Sequence, residues 1–271
     1  MSAAIRRFET VPDRPVMPPV QPKNYLRALV CFRRLANDKE NTRHVFDIVR
    51  AVNGDSMVAS FERFHASDVG RRAMDDPGCL LRAMGDRDAL RALPEGTLGR
   101  AYLAFVEREG LDTNGVQEAA VEAGIDYDVL RRDYPHMYAY AWWQNLSHDL
   151  YHVVTGYNRD AIGEGAVLRF TYEHSGSDGA RFIARFAGLR ARMEAPRVPA
   201  GAIMREASRL GREANDFITA DWIALLPMPL DEVRRTLNVG TPHAYLSVPK
   251  DVLLSIGKPK GSEPREQLQA A

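Results

Sequence analysis

Two histidines that lie four residues apart are the most chemically suggestive feature of the sequence. His148 and His152 belong to the segment SHDLYHVVTGYNRDAIGEGAV, residues 147–167. On a helix, side chains four residues apart project from the same face, one turn from each other. Two imidazoles in this arrangement can bind one metal ion. The spacing therefore predicts a divalent-metal site on a helix.

Two carboxylates near the histidines could complete this site. Gly156 is expected to end the helix, and Asp160 can cap a second helix that carries Glu164 back towards the histidine pair. Asp149 follows His148 directly and is either a ligand or an acceptor that orients an imidazole N–H. Glu164 or Asp149, where it does not bind metal, could donate a proton in catalysis. The predicted metal ligands are His148, Asp149, His152 and Glu164.

The identity of the metal and the class of reaction follow less directly. Histidines with carboxylates bind catalytic zinc and also non-haem iron, so the ligand types do not decide the metal. Zinc is the favoured metal and iron is the alternative. The run HDLYH resembles the zincin pattern HExxH with Asp for Glu. Asp is one methylene shorter than Glu and reaches a metal-bound water less well, and no third histidine follows at metzincin spacing. A zincin-like metallohydrolase is therefore a weaker alternative.

The elements that must position these residues are predicted to be helices. Apolar residues repeat at three- and four-residue steps along most of the chain, which predicts a compact all-α single domain. The run VLRFTY at 167–172 is β-like, but its context favours a helix. Ile203 to Ile218 also repeat at helical spacing. The predicted divisions are a proline-rich arm at 1–24, a helical domain at 25–257 and a polar tail at 258–271.

Composition excludes several classes of function. Lys plus Arg and Asp plus Glu are both 36, and this balance argues against a dedicated nucleic-acid binder. No apolar run approaches the ~18 residues of a membrane span, and the first residues lack the apolar core of a secretory signal. Cys31 and Cys79 have no disulfide or zinc-ribbon spacing, which favours a reducing cytosol.

A basic amphipathic segment offers a contact with a membrane surface. Residues 179–195, GARFIARFAGLRARMEA, interleave apolar side chains with four arginines. A helix of this kind can lie in an anionic membrane interface. The alternative is a helix that packs on the core and exposes a solvated basic face.

Three segments in order resemble the Coq4 family of ubiquinone (coenzyme Q) biosynthesis proteins. HDLYH followed after eleven residues by Glu164 has the family's HDxxHx11E arrangement. LPEGTLGRAYLAF at 93–105 and ADWIALLPMPLDEVRRTLNV at 220–239 resemble its upstream and C-terminal segments. One departure precedes His148, where Trp143 and Asn145 stand at places for which the resemblance implies basic residues.

The resemblance implies a mainly helical protein with a lipid-accommodating groove that acts in ubiquinone biosynthesis. It implies a polyprenylated aromatic substrate at the metal site, and a metal-dependent lyase reaction that removes the C1 carboxylate of a polyprenyl-hydroxybenzoate, with hydroxylation at that carbon in the oxidative form. The alternative is a non-catalytic lipid-binding organiser of the other quinone-biosynthesis enzymes. The family resemblance further implies a homodimer. It also implies a peripheral location on the inner face of the cytoplasmic membrane, or on the matrix side of the mitochondrial inner membrane in a eukaryote.

Overall fold

The chain folds into α-helices, several of which begin at a side chain that caps the first turn. The computed structural model describes residues 16–37, 43–111 and 126–256. The helices in these ranges are α1 (Tyr25–Asn37), α2 (Arg43–Val52), α3 (Val58–Ala66), α4 (Asp68–Asp75), α5 (Cys79–Gly85), α6 (Arg87–Ala92), α7 (Leu98–Glu109), α8 (Tyr127–Asp133), α9 (Pro135–Thr155), α10 (Ala161–Ser175), α11 (Asp178–Glu194), α12 (Ala200–Glu213), α13 (Trp222–Leu225), α14 (Leu230–Thr236), α15 (His243–Leu246) and α16 (Lys250–Ser255).

Helix α7 illustrates how local chemistry sets these boundaries. The Thr97 hydroxyl accepts a hydrogen bond from the Arg100 N–H and so caps the first turn. Gly110 ends the helix in the left-handed region, at φ 63°. A glycine adopts this conformation without the steric cost that a Cβ would impose.

The prediction of an all-α fold is confirmed, since the described ranges contain helices and no β-strand. The β-like run at 167–172 lies inside α10, as expected. The helical spacing of Ile203 to Ile218 is only partly realised, because α12 ends at Glu213. Phe217 leaves the helical path to pack on Tyr151 and Phe170 in the core. Burial of this aromatic ring therefore outweighs the continuation of the helix.

Helix α9 lies at the centre of the main hydrophobic core. It packs against α3, α4, α5, α7, α8, α10 and α14. Its buried aromatic side chains meet rings from distant segments: Tyr140 contacts Phe61, Trp143 contacts Phe64, and Tyr151 contacts Trp222. Helix α10 packs in turn on α11 and α12. The two helices predicted to carry the site are thus held from many sides.

A smaller apolar cluster joins the first helices to α11. Its buried residues are Ala28, Cys31, Ile48, Ala51, Val52 and Ile183. Both cysteines of the chain are free thiols.

The predicted divisions of the chain are only partly covered by the described residues. Residues 16–24 of the proline-rich arm carry no helix, and the polar tail at 258–271 lies outside the described ranges. None of the helices in those ranges has the length and apolar character needed to cross a bilayer. The lipid-accommodating groove stays a prediction.

The buried His174 should make the stability of the fold depend on pH. Burial lowers the pKa of His174 from 6.5 to about 4. The unfolded chain therefore binds more protons than the folded protein between these values, and stability should fall as the pH is lowered from 6.5 towards 4. Because His174 stacks on Phe217, His174→Phe should preserve packing and reduce this slope by up to ~1.4 kcal/mol per pH unit.

Urea unfolding at a series of pH values measures this effect. His243→Phe is the matched control, because His243 is exposed. Equal slopes for the wild-type and His174→Phe proteins would show that His174 does not contribute.

Candidate metal centre

Helix α9 presents the two predicted histidines on one face near its C-terminal end. The ring centroids of His148 and His152 are 4.9 Å apart, and the ring planes are nearly perpendicular, at 86°. The His152 side chain is fully buried, whereas that of His148 is 32% exposed. One imidazole therefore forms the floor of the site and the other lies at its rim.

A tight turn connects α9 to α10 and brings the predicted carboxylate to the histidines. Gly156 has φ 81°, in the left-handed region, and its N–H bonds to the His152 carbonyl. Asp160 caps α10 by accepting hydrogen bonds from the N–H groups of Ile162 and Gly163. Glu164 consequently lies in the first turn of α10, where the helix dipole favours a negative charge.

His148, His152 and Glu164 converge on one point. Oε2 of Glu164 is 3.5 Å from Nε2 of His148 and 3.4 Å from Nε2 of His152. These potential ligand atoms all lie within 4.8 Å of one another, and no other such group of three occurs in the described ranges. Two nitrogens and a carboxylate oxygen form a donor set that suits zinc or iron.

The hydrogen bond of His152 leaves its other nitrogen available for a metal. Nδ1 of His152 is 2.9 Å from the carbonyl oxygen of Tyr157. A carbonyl only accepts, so Nδ1 carries the proton and Nε2 presents a lone pair. Nε2 is buried and makes no hydrogen bond of normal geometry with any described residue. The residues present therefore fit a divalent cation.

Burial and opposite charges act against each other in this site. Burial favours the neutral form of Glu164, but His152 and His148 hold the pKa of Glu164 well below its usual value. Burial also disfavours a charged His152, yet the adjacent negative charge of Glu164 raises the pKa of His152. Glu164 is thus ionised at neutral pH, as a metal ligand must be.

Asp149 lies beside this group rather than within it. Its carboxylate is not part of the convergent set that His148, His152 and Glu164 form among the described residues. Burial raises the pKa of Asp149, against the charges of both histidines and of Arg159. Its predicted role as a ligand stays a prediction, and its position also suits a proton donor.

Two residues that contact the site or its turn were missed by the sequence analysis. The Arg159 Nε donates to Oε1 of Glu164 over 3.3 Å. Tyr245 donates from its hydroxyl to the Asp160 carboxylate and accepts the Asn158 N–H at 3.1 Å. Arg159 adjoins a capping residue, where an arginine is unremarkable, and Tyr245 is distant in sequence, so neither carries a recognisable signal.

Trp143 and Asn145, which stand where the family resemblance implies basic residues, differ in their burial. Trp143 is buried and packs on Phe64, and so belongs to the core. Asn145 is half-buried on α9, one turn before Asp149.

A histidine pair outside the site also had no sequence signal: His65 Nε2 and His136 Nδ1 are 3.1 Å apart.

Gly163 should be essential for the position of Glu164. A Cβ at Gly163 would lie 2.1 Å from the carbonyl oxygen of Asn158, which is closer than packed atoms allow. Gly163→Ala should therefore push the turn away from α10, displace Glu164, and weaken metal binding by about tenfold or more.

Competition with a chromophoric chelator measures the metal affinity. Gly85→Ala is the control, since a Cβ at Gly85 meets nothing within 4 Å. Wild-type affinity in Gly163→Ala would mean that the close approach of the turn does not position the ligand.

Comparison with known proteins identifies one family over most of the chain. The sequence model of the family described as "Coenzyme Q (ubiquinone) biosynthesis protein Coq4" matches residues 24–243. A relative from Clavispora lusitaniae, named "Ubiquinone biosynthesis protein COQ4, mitochondrial", is 26% identical over 82% of this chain and 66% of its own length. A relative of the same name from Scheffersomyces stipitis is 25% identical over 71% of this chain and 57% of its own length.

The chain thus spans only about three fifths of the length of these curated relatives. A crystal structure from Nostoc punctiforme, whose description is that of a ubiquinone biosynthesis protein, covers 81% of this chain and 100% of its own. The TM-score is 0.56 at 18% sequence identity, so this similarity concerns the fold alone.

Proposed function

Since the chain belongs to the Coq4 family of coenzyme Q (ubiquinone) biosynthesis proteins, we propose that it acts in ubiquinone biosynthesis and binds a polyprenylated aromatic precursor at a divalent-metal site. Zinc is the proposed metal and iron the alternative. The observation that carries the proposal is the convergence of His148, His152 and Glu164 within 4.8 Å. His148 and Glu164 are each about one third exposed, so a ligand can approach from the open side.

The proposed reaction is loss of the C1 carboxylate of a polyprenyl-hydroxybenzoate. When carbon dioxide leaves, the electron pair of the broken bond stays on the ring carbon, which must then receive a proton. A bound divalent cation would supply positive charge for an anionic substrate. In the oxidative form, dioxygen is a further substrate. One of its oxygen atoms becomes the hydroxyl group on the ring carbon, and the other leaves as water, which requires two electrons from an external reductant.

The two carboxylates are suited to different steps of this reaction. Glu164 has a lowered pKa and stays ionised, which supports a ligand role. Asp149 has a raised pKa because it is buried. Burial favours the protonated form of this carboxyl group, which is the form that can protonate the ring carbon. Environment thus supports a division between a metal ligand and a general acid.

Variants of the site separate metal binding from turnover. We expect His148→Ala and Glu164→Gln to lose bound metal, because the first removes a ligand nitrogen and the second replaces an anionic oxygen with the weaker neutral oxygen of an amide. Asp149→Asn should retain the metal and lose product formation, since an amide cannot donate the required proton. Metal content is measured by elemental mass spectrometry, and the product by mass spectrometry of extracted lipid, with and without dioxygen.

His243→Ala, at an exposed position, is the control for these variants. Wild-type protein that takes up neither zinc nor iron on reconstitution would refute the metal site. Protein that holds metal and isoprenoid lipid but forms no product would instead identify the non-catalytic organiser, which would associate with other quinone-biosynthesis enzymes. Cleavage of a peptide by the metal-loaded protein would favour a zincin-like hydrolase.

Helix α11 is the proposed contact with the membrane from which a long isoprenoid substrate would enter. Its exposed face combines positive charge with apolar side chains and consists of Arg181, Arg185, Leu189, Arg192 and Met193. These positions fall on one side of the helix, as in helices that lie in an anionic lipid interface. This face supports contact with a membrane surface. The proposed location is the inner face of the cytoplasmic membrane, or the matrix side of the mitochondrial inner membrane if the protein is eukaryotic. Homodimerisation is proposed from family resemblance only.

Vesicle sedimentation tests this surface. The double variant Leu189→Asp with Met193→Asp should lose most binding to vesicles that contain anionic lipid, because buried carboxylates cost free energy in the apolar boundary and are repelled by the lipid charge. Leu254→Asp, at another exposed leucine, should bind like the wild type. Equal binding of the double variant would assign membrane contact to another surface.

A further inference from the structure

Arg159 divides the two oxygens of the Glu164 carboxylate between two tasks. Its Nε donates to Oε1 over 3.3 Å, whereas Oε2 is the oxygen that faces both imidazoles. The guanidinium therefore lies directly beside the metal site, on the side of the carboxylate away from the histidines. A cation at this place also favours binding to metal through one oxygen only, since the other is engaged.

The rest of the Arg159 side chain is available to a ligand. The side chain is 29% exposed. Its two terminal amino groups make no hydrogen bond within the part of the chain that the structure describes. Each carries two N–H donors in the plane of the guanidinium, the geometry that pairs with both oxygens of a carboxylate. An arginine with one donor bonded and four available is suited to recognise an anion.

The charges of the site indicate which kind of ligand it can take. With a divalent cation bound, the ionised Glu164 cancels one of its two positive charges, and the guanidinium of Arg159 adds another. Positive charge therefore remains in excess whether Asp149 is neutral or ionised. A half-buried site with a surplus positive charge favours a monoanionic ligand over a neutral one.

We propose that Arg159 is the specificity-determining residue that binds the carboxylate of an aromatic acid beside the metal. This inference rests on the proposed function, because it names the group of the substrate that the same site recognises. The second role of Arg159 is to hold Oε1 of Glu164. The substrate carboxylate, which is lost as carbon dioxide in the proposed reaction, would thus pair with the guanidinium of Arg159. This guanidinium does not bind the metal.

The test uses cobalt-loaded full-length protein, because Co²⁺ reports on its ligands through visible absorption. The probes are para-hydroxybenzoate and its neutral analogue para-hydroxybenzamide, which differ only in the recognised group. Wild-type protein should bind the benzoate about tenfold or more tightly than the amide, as expected for a charge-assisted pair. Arg159→Gln should bind cobalt and lose this discrimination, and Arg159→Lys should keep cobalt and lose most of it, because an ammonium lacks the planar fork.

Arg205→Gln, at an exposed position on α12, should behave like the wild type. Discrimination that persists in both Arg159 variants, or that is missing from the wild type, would overturn the proposal. If Arg159→Gln lost cobalt and Arg159→Lys did not, the lysine variant would show whether discrimination between the two probes depends on Arg159. Calorimetric titration with the same two probes is run in parallel on metal-free protein. Failure to bind any metal would refute the proposed function. The calorimetric titration would still measure whether discrimination between the two probes depends on Arg159, so the two proposals can fail separately.

Discussion

The hydrogen bond from Nδ1 of His152 to the carbonyl of Tyr157 is the interaction on which the site depends. It fixes the tautomer of a fully buried imidazole and aims the lone pair of Nε2 towards Glu164. Because the acceptor is a backbone group of the turn that follows α9, the orientation of the imidazole ring depends on the path of the backbone through that turn. A change in the turn would rotate or release the imidazole.

That turn is held at both ends by groups that the core positions. Gly156 allows the left-handed conformation at its start, and Asp160 caps the helix at its end. The hydroxyl of Tyr245 joins the turn to a helix near the C-terminus of the described chain. Burial and the adjacent carboxylate raise the pKa of Tyr245, so the phenol remains a donor. Local chain chemistry shapes the turn, and one distant side chain anchors it.

The parts of this protein that could be predicted from sequence are those governed by neighbours along the chain. The two histidines share a face because of helical geometry, and Glu164 follows from a glycine stop and an aspartate cap. Tyr245 could not be found in this way, since it lies 85 residues from Asp160 and no periodicity links them. The early end of α12 had the same cause, because the gain from burying Phe217 depends on rings brought from other helices. Asp149 shows a third limit: helical angle alone does not say whether a carboxylate reaches a neighbour's ligand atoms.

All three converging ligand atoms come from residues 148–164, a single helix–turn–helix segment. The contacts that define the site therefore have low contact order, and forming them closes only a short loop once α9 and α10 exist. Such a unit can assemble early in folding, before the distant helices dock around it. It can also persist through evolution while its surroundings change, because its geometry needs few long-range partners.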